Sequence, residues 1–167
     1  MAVTTNYGSR IITGLIASPS VLADAGEGGG RVKYWCDTVE LAASDASSTI
    51  HLARIPSNAR IIGGMSKVYF DDLASSGAPT LDIGIFPVRA ADFTADDDAL
   101  NDGIDIASAA GSAAVIKDVA NYGKLAWEFI SGQAADPKCD VDIKITVKDA
   151  ATNATGTVTL ELFYTYD

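Results

Sequence analysis

Two runs near the C-terminus decide the fold: C-D-V-D-I-K-I-T-V-K at Cys139–Lys148 and T-V-T-L-E-L-F-Y-T-Y at Thr157–Tyr166. In the first, Cys139, Val141, Ile143, Ile145 and Val147 fall on one parity, and Asp140, Asp142, Lys144, Thr146 and Lys148 on the other. In the second, Val158, Leu160, Leu162, Tyr164 and Tyr166 share a parity. Side chains alternate faces along a strand, so each run is a strip with one dry and one wet side. Antiparallel sheets with one solvated face carry that alternation, whereas parallel sheets are covered on both faces. With A-A-T-N-A-T-G between them, the two runs are expected to form a closing β-hairpin.

Upstream, strand-like segments recur. Arg31–Leu41 is β-branched and aromatic, Thr49–Arg54 is a short strand, and Pro56, Ser57 and Asn58 turn the chain into Arg60–Asp71. Gly63 and Gly64 mark a bulge or bend within that run. Thr80–Phe86 sets Leu81, Ile83 and Ile85 on one face, and Val115–Ala120 and Lys124–Ile130 read as further strands. Between them, residues 90–114 are rich in Ala, Asp, Ser and Gly and read as a long loop of the kind that makes contacts. About eight strands separated by turn signals define an all-β class. The expected architecture is an antiparallel β-sandwich with a jelly roll as the leading topology; an immunoglobulin-like key is not separated from it at this level.

Residues 1–30 differ from the rest. Gly8, Gly14, Pro19 and the glycines of Gly26–Gly30 interrupt any regular element, yet Tyr7, Ile11, Ile12, Leu15, Ile16, Val21 and Leu22 are too apolar for a free tail. The segment is expected to be an extended N-terminal arm, with 31–167 as the sandwich domain. Those seven side chains are the candidate contacts to another subunit or surface.

A chain of 167 residues fits one domain and buries roughly 70% of its unfolded surface without metal or disulfide staples. Twelve basic and twenty-two acidic residues leave a net charge of −10. Phosphate binding requires cations to displace counterions, so this charge argues against nucleic acid and against an anionic membrane as partners. The opening residues lack the basic and apolar regions of a signal peptide, and no apolar run approaches a membrane span of about 20 residues. Synthesis in a cytoplasm is the expectation.

Catalytic and metal chemistry find little purchase. His51 is the single histidine, alternates with Ile50 and Leu52, and is expected to face outward, so no His-based metal cluster or triad is built around it. Asp96, Asp97, Asp98, Asp102 and Asp105 crowd one segment, the oxygen-rich kind of stretch that binds Ca²⁺, but the EF-hand spacing is absent and a solvated acidic loop is expected. Trp35 and Trp127 could stack on sugar, although strand tryptophans are usually core. The glycines at 26–30 precede no G-K-[ST] and read as a linker. Cys36 and Cys139 sit where small buried hydrophobes belong, and pair only if their strands meet. No catalytic residue, metal or cofactor is assigned.

I-H-L-A-R-I-P-S-N-A-R-I-I-G-G at Ile50–Gly64, V-Y-F-D-D-L at Val68–Leu73 and T-L-D-I-G at Thr80–Gly84 resemble small virion structural proteins of tailed bacteriophages. D-D-D-A-L-N-D-G-I-D-I, Y-G-K-L-A-W-E and the closing G-T-V-T-L-E-L-F-Y-T-Y-D fit the same layout, so the resemblance runs from about Val32 to Asp167. It implies a capsid decoration (cement) protein: non-enzymatic, seated on the outer capsid surface, in contact with the major capsid protein, often trimeric, and made in a bacterial host. Each motif also has a plain physical reading. Pro56 fixes a corner, and Gly84 lets a backbone or bulky neighbour come close. The alternative is a receptor- or glycan-binding module of a phage head fibre or tail, using Trp35 or aromatic loop residues.

Overall fold

Val141, Ile143, Ile145, Val147, Val158, Leu160 and Leu162, the dry sides of the two C-terminal runs, are fully buried. The computed structural model describes residues 30–166, in which these side chains meet in the core between two antiparallel sheets. The strands are β1 (Val32–Leu41), β2 (Thr49–Pro56), β3 (Arg60–Ile61), β4 (Lys67–Phe70), β5 (Thr80–Pro87), β6 (Asp96–Asp105), β7 (Gly111–Ala114), β8 (Asp140–Lys148) and β9 (Gly156–Thr165). One sheet runs β1-β9-β4-β7, with the short β3 also on β9; the other runs β2-β8-β5-β6.

Leaving out β3, the first strand pairs with the last, β2 with β8, β4 with β7, and β5 with β6. That nested pairing, split over two sheets, is a jelly roll. Residues 1–29, and with them Tyr7, Ile11, Ile12, Leu15, Ile16, Val21 and Leu22, lie outside the described residues. Among the described residues no helix is long and apolar enough to cross a membrane.

Four expectations are corrected. The last two runs are not a hairpin: β8 and β9 belong to opposite sheets, and their dry faces oppose each other across the core. Alternation identifies a dry face without saying which sheet owns it. The connection between them is tied down on its way across, with Thr152 N–H donating to Ser44 O (2.9 Å) and Asn153 N–H to Leu73 O (3.1 Å).

The segment 90–114 is not one loop, because it contains β6 and β7. Its aspartates hid a strand that lies at a sheet edge and is interrupted by bulges against β5. Conversely, 115–120 and 124–130 are not strands; Val119–Asn121 and Ala126–Phe129 are 3₁₀ turns. Asp118 accepts from Ala120 N–H at 2.9 Å and Glu128 from Leu125 N–H at 2.6 Å, and these caps favour a turn over a ladder.

Finally, Cys36 is exposed and Cys139 only partly covered, and both are free thiols. Cys36 lies on β1 and Cys139 just before β8 of the other sheet, and on β1 it is Trp35, paired with buried Leu162, that takes the inward parity.

Candidate interaction surface

β1 is the least covered strand of the sandwich: only Leu41 is buried and Val39 partly so. The inward parity carries Lys33, Trp35, Asp37 and Val39, beside the core residues Leu162, Leu160 and Val158 of β9. Trp35 closes the gap to the other sheet by donating its Nε1–H to Leu52 O at 2.7 Å, yet remains 40% exposed. With Asp37, His51 and Arg54 it lines a shallow cleft between the two edge strands β1 and β2.

The outward parity continues as a polar and aromatic face. Tyr34 lies across from Phe163 with ring centroids 5.0 Å apart, and its hydroxyl donates to Glu161 Oε1 at 3.1 Å. Tyr69 on β4 hydrogen-bonds the same carboxylate, which raises its pKa above the usual phenol value. The Tyr34 hydroxyl is pushed up further, first by its bond to Cys36 and then by desolvation and Glu161. Both shifts favour the neutral phenol as a donor to Glu161. Thr38 and Thr159 hydroxyls complete the row at 2.8 Å.

The opposite outer face is charged and carries several internal ion pairs. Asp142, buried on β8, accepts from Arg54 through Nε at 2.7 Å and Nη2 at 3.3 Å, with His51 Nε2 at 3.1 Å. The lone histidine is thus exposed, as its alternation implied, and committed to a carboxylate. Lys144 lies over the Phe86 ring at 5.0 Å. The expected acidic cluster is real in part: Asp96, Asp97 and Asp98 bring carboxylate oxygens within 4.8 Å of one another. Burial, and then Asp98, raise the Asp96 pKa, while Lys148 pairs with Asp97 at 2.5 Å. Asp102 and Asp105 point elsewhere, to Lys117 and to Ser108 (2.6 Å).

At the corner after β2, buried Ser57 donates to Asp136 Oδ1 at 2.5 Å and accepts from Cys139 N–H at 3.2 Å. This pins the loop before β8 and forms one wall of a depression that includes Pro56, Asn58 and Lys138. Sequence reasoning did not single out β1 as a surface. The signal was present, because apolar residues occupy both parities over Val32–Cys36, which is more than one core face can use.

No protein-family model matches the chain, and neither does any curated protein. Among solved structures, a chain of the cyanophage Pam1 capsid asymmetric unit matches with a TM-score of 0.56 at 18% identity, over 90% of this chain and 96% of that one. A chain of the infectious bursal disease virus Gt strain structure matches at 0.42 and 12% identity, over 83% of this chain and 38% of that one. The first is a likeness of fold; the second is too loose to carry an argument.

Proposed function

We propose that this chain is a non-enzymatic structural protein of a tailed-phage virion, a decoration protein that binds the outer capsid surface and stabilises the shell. The observation that carries the reading is the fold shared nearly end to end with a chain of a phage capsid asymmetric unit, 90% of one and 96% of the other. Coverage that complete on both sides describes a partner of similar size, as expected of a small accessory protein. Net charge of −10 fits a surface turned away from packaged DNA.

In this reading the major capsid protein is the partner, and copies assemble as homotrimers. Residues 1–30, with Ile11, Ile12, Leu15 and Ile16, supply the docking arm. Many modest contacts to the assembled lattice, and none to dissociated subunits, shift assembly by mass action. The test is co-sedimentation of full-length protein with capsids of the phage that encodes it, lacking this protein, followed by thermal disruption. Binding and a raised disruption temperature are expected; absence of binding to the intact shell sinks the reading.

The exposed pair Tyr34 and Tyr69, flanking Glu161, favours a second reading as a glycan- or receptor-binding module of a head fibre or tail. Glycan-array binding abolished by Tyr34→Ala, with no capsid binding, would replace the first reading.

A further inference from the structure

We infer that β1 is a self-association edge: it pairs antiparallel, across a two-fold axis, with β1 of a second copy of this chain. A strand at a sheet edge offers unpaired N–H and C=O groups to any other strand, and folded proteins ordinarily block such edges. Among the described residues, three of the four sheet edges are blocked. β2 has a register shift between His51 and Ala53 and ends in Pro56, β6 breaks register twice against β5, and β7 is four residues long. β1 is ten residues long, pairs without a break along β9, contains no proline, and among the described residues has no strand on its other side.

Charge identifies the occupant. In a chain of net −10, the segment 31–41 is neutral overall and polarised: Arg31, just before the strand, and Lys33 at its start, Asp37 and Glu40 towards its end. Antiparallel self-pairing sets the basic half of one copy against the acidic half of the other, whereas an acidic or a basic partner would match one half only. A two-fold axis normal to the sheet keeps faces together, so paired positions must share a parity. The register centred on Trp35 meets that condition and sets Lys33 across from Asp37 of the partner subunit, twice. Lys33, the side chain that would otherwise guard the edge, is then matched. Opposite charges directly across a strand pair stabilise it, and like charges oppose it. Val32 and Tyr34, 56% and 55% exposed, gain cover on the other face.

This inference does not depend on the capsid reading, since a trimer held by other surfaces doubles through β1 in the same way. The experiment is sedimentation velocity of the full-length protein at low ionic strength, for wild type, Lys33→Asp, Asp37→Lys and the double swap Lys33→Asp/Asp37→Lys. Wild type and the double swap are expected at about twice the mass of either single variant, because each single change sets like charges opposite one another. Equal masses for all four, the outcome if residues 1–29 or a shell protein hold the strand instead, overturn the inference. So does a double swap that stays at the lower mass. Independently, the register sets Tyr34 across from Cys36 of the partner subunit, so oxidised Tyr34→Cys should run as a covalent two-chain species; a monomeric band under oxidation also overturns it.

Discussion

The backbone of Asp97 passes directly over Gly84. A Cβ built on Gly84 would stand 2.4 Å from Asp97 Cα and 2.3 Å from Asp96 O. Between the Ile85↔Asp96 and Ile83↔Asn101 pairs, β6 spends five residues where β5 spends two, and the surplus folds back over the sheet onto the one position that has no side chain. The carboxylate of Asp97 is thereby brought to Lys148.

Gly84→Ala therefore meets main chain, which cannot rotate away as a side chain would. The expected cost is about 3 kcal/mol, at the upper end of what overpacking exacts. Urea denaturation checks this. A variant within experimental error of wild type would mean that the bulge is free to lift.

Thr146 gives a prediction of the opposite sign. Its Oγ1 is buried and has no hydrogen-bond partner among the described residues. A buried hydroxyl without a partner costs stability, and valine keeps the β-branched shape. Thr146→Val should raise the unfolding free energy by about 1 kcal/mol. A loss of stability would show that the hydroxyl has a partner in solution.

How far the fold could be read ahead depended on what each residue pattern encodes. The dry faces of β5, β8 and β9 were legible because alternation is local, and Gly84 was legible as a point of close approach. The partition of β8 and β9 between sheets was not, since it is decided by where Thr152 and Asn153 anchor the connection, on Ser44 and Leu73, far away in sequence. β6 was missed because Asp96, Asp97 and Asp98 look like loop, and only pairing with β5 makes them a strand. The surface character of β1 was written in Val32, Tyr34 and Cys36 opposite Trp35, but a strand apolar on both parities reads first as core.

Ser57, in the corner motif I-P-S-N, links that motif to the segment just before β8. Its hydroxyl joins Asp136 to the Cys139 backbone and is 2% exposed. Ser57→Ala removes the bond to the Asp136 carboxyl and leaves the Cys139 N–H without its acceptor. The expected loss is about 2 kcal/mol, within the range for hydrogen bonds to charged groups. Because burial holds the Cys139 thiol above its ordinary pKa, a second readout is available. Loosening this loop should speed alkylation of Cys139 at pH 8, since the thiolate is the reactive form. Unchanged stability and unchanged alkylation together would show that the loop is held by other contacts.

Asp71 gives the acid limb of stability. Its Oδ2 accepts from Thr157 N–H at 2.7 Å and from Thr157 Oγ1 at 2.8 Å, and these bonds, the backbone one first, hold its pKa below the usual carboxylate value. A carboxylate whose folded pKa lies below its unfolded one contributes stability that is complete above the unfolded value of about 3.9 and is lost as pH falls through the folded value. Asp71→Asn should therefore melt below wild type at pH 7, and the gap should close as pH falls below the ordinary carboxylate range. Asp82 works in the other direction: burial raises its pKa, so its own contribution weakens stability as pH rises through that raised value. The same titration of Asp82→Asn should show a variant that gains on wild type between acid and neutral pH. Thermal melts of the three proteins from pH 7 to pH 2 separate the cases. An offset for Asp71→Asn that stays constant to pH 2 would show that the Thr157 bonds do not distinguish the charged carboxylate from the neutral one.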